Sequence, residues 1–229
     1  MPRISSILAL ALPAFFLAGC PDPEGNYDEF KDRYNTINPS SGGAAGAAGA
    51  GGGDAGACVV PAAGELDGDY IFALSAKLKP AAPLIFLVKV TSKDASGSTS
   101  MDWSLQPLNR FDRETPVGDP IILSGIVIDA NGKIDANSLV NTPIAVTGDA
   151  NPISGSNITA EVQNLTGGNF CNTDGFYCGG VVGNVTKPIP IELAGSTWTL
   201  TKVTGTADYP DPVPINCKKD PADPPPPPP

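Results

Sequence analysis

Five cysteines, at positions 20, 58, 171, 178 and 217, are the residues whose spacing says most about the chemistry open to this chain. None of them forms a C-x-x-C pair and the chain contains no histidine, so a structural zinc site is not expected and thiol–imidazole nucleophiles are excluded. In an oxidising compartment the even set Cys58, Cys171, Cys178 and Cys217 reads as two disulfides. Three connectivities are open. The expected one joins Cys171 to Cys178 locally and Cys58 to Cys217 across the domain, which would hold the first and last strands together.

The absence of histidine also removes the commonest general base, the usual hydrolytic triads and the commonest transition-metal ligand. The sequence holds no G-x-S-x-G, S-x-x-K or P-loop motif. Carboxylate chemistry remains. A glycosidase-like pair would have to come from Asp102, Asp112, Glu114, Asp119, Asp135, Glu161 and Glu192, but spacing along the chain does not supply the required separation. Acidic residues on strands and turns are ordinarily solvated, so the chain is expected to be non-enzymatic, with no cofactor.

Cys20 stands apart from the other four. Arg3 gives a minimal positive start, residues 7–17 form an apolar run, and Leu17-Ala18-Gly19 precede the cysteine. That order is a secretory signal, too short to span a bilayer. L-A-G-C resembles the lipobox of bacterial lipoproteins. The resemblance implies cleavage before Cys20, thioether lipidation of its sulfur and attachment to the cell envelope. Pro21 stands where the lipoprotein sorting rule places Asp for inner-membrane retention, so the outer membrane is the expected address.

The elements behind this anchor fall into four segments: a signal over 1–19, a lipidated N-terminus and Gly/Ala-rich tether over 20–57, a globular domain over 58–217 and a Pro-rich tail over 218–229. The tether has little to bury and should behave as a flexible spacer with a reach of roughly 20–30 Å. Within it Gly51-Gly52-Gly53-Asp54-Ala55-Gly56 fits G-x-G-x-x-G, but no strand precedes it and no helix follows, so it reads as linker. Residues 27–34 carry aromatics at 27, 30 and 34, and are expected to be a polar spacer. The six terminal prolines favour an extended polyproline II tail.

A net charge of −10 argues against nucleic acid as a partner. Asp129-x-Asn131-x-Lys133-x-Asp135 has the spacing of a calcium loop, but Gly132 is misplaced and Lys133 occupies a ligand position, so a hairpin turn is expected there. The three N-x-T sequons, at Asn157, Asn164 and Asn184, read as Thr-rich strand positions.

Between Cys58 and Cys217 the apolar pattern has period two. Tyr70, Phe72, Leu74, Ala76 and Leu78 share one face. Leu84, Phe86, Val88 and Val90 share another, on a strand that is apolar on both faces. Trp103 and Leu105 alternate with Ser104 and Gln106; Ile158, Ala160 and Val162 alternate with Thr159 and Glu161; Trp198 and Leu200 alternate with Thr197 and Thr199. Residues 121–129 are almost wholly apolar, as in a central strand buried on both faces. With frequent Gly, Pro and Asn turns and no sustained helical period, the expectation is an all-β, antiparallel barrel or sandwich.

Gly68-Asp69-Tyr70 opening the first strand, with Trp198 near the last, resembles the G-x-W start of lipocalin-like barrels, Tyr70 standing where that family has tryptophan. The resemblance implies an apolar cavity lined by Tyr70, Phe72, Phe86, Trp103 and Trp198. These aromatics filling a solid core is the expectation from packing. Three functions follow in order: a surface-tethered binding or structural module that meets a protein partner or helps build the envelope, a carrier of a small apolar ligand, and a carboxylate-based hydrolase.

Overall fold

A computed structural model describes residues 58–228 except 96, 137, 140, 141 and 173. The signal, Cys20, the tether and the 27–34 segment lie outside the described residues.

Among the described residues nine strands form one antiparallel sheet: β1 (Gly68–Ser75), β2 (Leu84–Ala95), β3 (Ser98–Pro107), β4 (Ile121–Ile128), β5 (Thr142–Val146), β6 (Ile158–Gly167), β7 (Phe176–Lys187), β8 (Ile191–Glu192) and β9 (Ser196–Val203). Their order is β4-β3-β2-β1-β9-β7-β6-β5, with β8 added beside β7. The first and last strands close the chain by direct pairing, Phe72 opposite Leu200 and Leu74 opposite Trp198. The sheet curls until β4 approaches β5, with no ladder between them, giving a nearly closed barrel.

Alternation decides which side chains face inward. Tyr70 and Phe72, Phe86 and Val88, Trp103 and Leu105, Val162, Tyr177, Trp198 and Leu200 all join the interior core. The residues between them face out, and three irregularities adjust the register, between Met101 and Trp103, between Thr159 and Ala160, and between Val162 and Asn164. At the first, the Asp102 carboxylate accepts from the Gly125 backbone N–H at 2.8 Å and pairs with Lys93 at 2.9 Å.

A second core lies outside the barrel. Ile71, Ala73 and Ile85 on the outer faces of β1 and β2 are buried under Val213, Ile215 and Ala222 of the C-terminal segment. That segment is held by Thr199 Oγ1 donating to Pro214 O at 2.7 Å and Thr197 Oγ1 to Ile215 O at 2.6 Å. The two-sided apolar character of β2 thus has its cause in a strap of chain rather than in a second sheet. The packed domain continues past its expected end at Cys217: Ala222 is 7% exposed, and the Asp223 N–H donates to Ala81 O at 2.7 Å.

The disulfides overturn the expected pairing. Cys58 joins Cys171, with Cα atoms 5.2 Å apart, and Cys178 joins Cys217 at 5.3 Å. The reason is strand parity. Cys178 sits opposite Thr199 on the outward face of β7, while its neighbour Tyr177 points inward; Cys178 therefore meets the strap that carries Cys217. Cys171 belongs to the loop below β7, where the Phe170 N–H donates to Gly132 O at 2.8 Å. That contact draws Cys171 under the 129–133 turn, beside Cys58. A Cβ on Gly132 would lie 2.2 Å from Cys171 Sγ, and Gly132 has φ +72°, so this turn tolerates only glycine.

Two strand expectations also change. Residues 121–128 form an edge of the sheet path, not a central strand, and Ile122 is 60% exposed. β1 stops at Ser75, leaving Ala76 and Leu78 in the loop beyond it. The Asn131-Gly132 turn is present, with Gly132 N–H donating to Asp129 O, but it is followed by a single bridge, Ile128 to Ile134.

Candidate ligand cavity

The barrel has two unlike halves. At the end where β1 begins, aromatic rings fill the interior. Phe72 packs on Trp198 with centroids 6.2 Å apart, edge-on to Trp103 at 6.0 Å and to Phe86 at 5.9 Å. Below them Phe170 stacks on Tyr177 at 4.4 Å, and Tyr177 meets Tyr70 at 6.4 Å. The Tyr70 hydroxyl donates to Leu66 O at 2.9 Å, and burial, then the nearby Tyr177 and Asp67, hold its ionisation far above the usual range for a phenol. It serves as a fixed donor at neutral pH.

At the other end the barrel is open. A cavity of about 610 Å³ lies above the aromatic floor, lined by Phe72 and Leu74 of β1, Leu84 and Phe86 of β2, Leu105 of β3, Leu123 of β4, Val146 of β5, Val162 and Leu165 of β6 and Val185 of β7. Every strand on the barrel path except β9 contributes an inward aliphatic or aromatic side chain, and β9 contributes Ser196. The volume falls within the range of about 300–1,000 Å³ typical of small-molecule sites.

Of the five aromatics that the sequence proposes as cavity lining, Phe72 and Phe86 line it, whereas Tyr70, Trp103 and Trp198 form its filled floor. The filled core and the apolar cavity coexist, stacked along the barrel axis. The sequence reading does not find the aliphatic wall from β5, β6 and β7. Its visible signals are the Ile158–Ala160–Val162 alternation and Val185, the latter obscured by the glycines of β7.

Polar groups in the cavity are few and already engaged. Asn151, fully buried at its wall, donates to Ser154 Oγ and Ser156 O, both at 2.8 Å, and accepts from the Ile153 N–H at 3.0 Å. Ser196 Oγ accepts the Lys77 N–H at 3.1 Å. Charge enters at the rim alone, from the exposed Lys77 and Glu192. A ligand here would be held by apolar contact, with one end near the rim.

The candidate acids do not gather in this cavity; among the seven, Glu192 alone lines it. Asp112 and Glu114 border a smaller outer recess of about 320 Å³ with Arg113 and Asp211. Asp112 there is committed to its own turn, accepting from the Glu114 N–H, the Thr115 N–H and the Thr115 hydroxyl. Asp129 likewise closes its turn by accepting from the Asn131 and Lys133 N–H groups at 2.9 and 2.8 Å. Among the described residues no cluster of three or more Cys, Asp or Glu side chains is arranged to hold a metal ion.

No protein-family model, curated protein or solved structure matches the chain.

Proposed function

We propose that this protein is an envelope-anchored binding module whose barrel takes up a small apolar molecule or a lipid acyl chain, without catalysis. The reading joins the lipoprotein-like anchor to the second of the functions the sequence suggests. The observation that carries it is the open apolar cavity of about 610 Å³ above the ring floor. A domain built only to display its outer surface has no need of such a space, because unfilled apolar volume forfeits packing energy. The lack of a free polar group on the Asn151 wall favours an apolar body over a sugar or peptide, whose polar groups would be buried unpaired.

The test is a titration of straight-chain carboxylic acids of increasing length against displacement of a hydrophobic fluorescent probe. Each methylene taken from water contributes about 0.8 kcal/mol, so affinity should rise roughly fourfold per methylene until the cavity is full. Native mass spectrometry of the exported protein should show the same class of molecule retained. A protein that binds no probe and carries no extra mass would refute the reading and return the surface-interaction module to first place.

A further inference from the structure

The two loops on one side of the cavity mouth share a composition found nowhere else among the described residues. The β1–β2 loop carries Lys77-Leu78-Lys79, and the β7–β8 hairpin carries Lys187 at the end of β7, Pro188-Ile189-Pro190 in its loop and Ile191 at the start of β8. Both line the cavity, and β1 pairs with β9, where the Lys77 N–H reaches Ser196, four residues beyond the end of β8. Leu78 is 68% exposed, Ile189 66% and Ile191 40%, which makes half of the exposed large apolar side chains of the described domain part of a single lip. All three also line the cavity, so the apolar surface runs unbroken from lip to interior.

Charge singles out the same lip. The chain has 14 basic residues against 24 acidic ones, yet Lys77, Lys79 and Lys187 flank these apolar tips in sequence, and Glu192 is the acid that lines the cavity beside them. None of the three lysines makes an ion pair among the described residues. The β3–β4 and β5–β6 loops carry four acids, Asp112, Glu114, Asp119 and Asp149, against two bases, Arg110 and Arg113, so that side is net acidic, and none of these residues lines the cavity. These two loops are tied together by the Arg110 N–H to Asp149 O at 2.8 Å.

We propose that this lysine-flanked apolar lip docks on an anionic lipid surface. Leu78, Ile189 and Ile191 would enter the headgroup boundary while the lysines meet lipid phosphates, the combination that favours interfacial binding. The acidic side would stay clear of the surface, so the mouth meets it tilted, lip first. The chain joins the barrel at the opposite end, where Cys58 is bonded to Cys171. The docking surface stands on the lip residues and holds whether or not the cavity takes a ligand.

A reporter placed in the lip tests this directly. The full chain carrying Cys20→Ala, which prevents lipid attachment there, and Leu78→Trp is mixed with phosphatidylcholine vesicles with and without phosphatidylglycerol. Tryptophan emission should shift to the blue and be quenched by brominated lipid when phosphatidylglycerol is present, and added salt should reverse both. Lys77→Gln, Lys79→Gln and Lys187→Gln should each weaken the response about fivefold, and Ile189→Ser should weaken it without altering the fold. No shift or quenching with anionic vesicles overturns the proposal. So does a blue shift that grows with protein concentration in the absence of lipid, which would assign the lip to self-association. Chain-length-dependent binding of carboxylic acids with no vesicle response would refute the docking surface and leave the cavity reading intact.

Discussion

Trp103 and Trp198 meet edge to face in the barrel floor with ring centroids 6.4 Å apart, yet only one indole N–H has an acceptor. Trp198 Nε1 of β9 donates past β7 to Thr166 O of β6 at 3.1 Å, while Trp103 Nε1 is buried without a partner. Both rings are fully buried. Trp198→Phe and Trp103→Phe therefore remove similar apolar surface but differ by one hydrogen bond. Trp198→Phe should cost about 1 kcal/mol more, because it also removes the bond to the Thr166 carbonyl, whereas Trp103→Phe relieves an unpaired donor. Urea denaturation of the two variants checks this; equal losses would mean that the Trp198 bond contributes nothing net.

The disulfide pairing gives a second expectation. The Cys58–Cys171 and Cys178–Cys217 bridges have sequence separations of 113 and 39, for which the chain-entropy model gives about 5 and 4 kcal/mol. The double variant Cys58→Ser/Cys171→Ser should fold with reduced stability and keep one clean disulfide by mass. Cys58→Ser/Cys217→Ser should leave two thiols without their partners and lose both bridges. A thermal midpoint for the second pair at or above that of the first would contradict the pairing.

Gly179 marks the tightest backbone contact in the floor. A Cβ there would lie 1.8 Å from Thr166 O and 2.8 Å from Trp198 Nε1, so β7 can pass between β6 and the indole only as glycine. Gly179→Ala should destabilise by about 3 kcal/mol or more, since the barrel wall must move to admit it. Gly205→Ala meets nothing within 4 Å and should stay within about 1 kcal/mol of the parent. Comparable melting temperatures for the two variants would refute the close approach.

These contacts show why some of the fold was legible and some was not. β3, β6 and β9 announce themselves because one face meets the core and the other meets water or polar groups. β7 does not: Gly179, Gly180 and Gly183 interrupt its alternation, and their role is visible only once Thr166, Trp198 and Glu161 lie against them. β4 misleads in the opposite direction, because its apolar outer residue Ile122 stays exposed at the seam. Four cysteines fix the number of bridges but not their partners, since the outward face of Cys178 depends on its register with Thr199. The ring floor was readable from its aromatics; the space above it depends on barrel closure, which period-two alternation leaves open.

Acid should weaken the barrel through two partly buried carboxylates. Hydrogen bonding from the Lys93 side chain and the Gly125 N–H lowers the pKa of Asp102, and the Lys133 and Asn131 N–H groups, opposed by slight desolvation, lower that of Asp129. A carboxyl with a folded pKa below its unfolded value, about 3.9, stabilises the protein above that value. The contribution fades as pH falls through the lower folded pKa. The melting temperature should therefore drop below about pH 4, and Asp102→Asn should flatten that part of the profile while keeping an acceptor for Gly125. An unchanged acid limb in Asp102→Asn would show that the Lys93–Asp102 pair contributes no pH dependence.

The strongest discrimination between a ligand cavity and a packing defect comes from filling it. Ala160 on β6 is 8% exposed and lines the cavity wall, so Ala160→Phe would place a ring in space that a ligand would otherwise occupy. If the space is an unused void, the added apolar contact should leave the protein as stable as the parent or more so, because filled volume recovers dispersion energy. If the space is a binding site, the same substitution should also abolish probe uptake and reduce carboxylic acid affinity by at least tenfold, with the fold intact by circular dichroism. Loss of binding together with retained or raised stability would separate function from packing at one residue. Probe affinity unchanged in Ala160→Phe, with the fold preserved, would place any bound molecule outside the barrel and refute the cavity as its site.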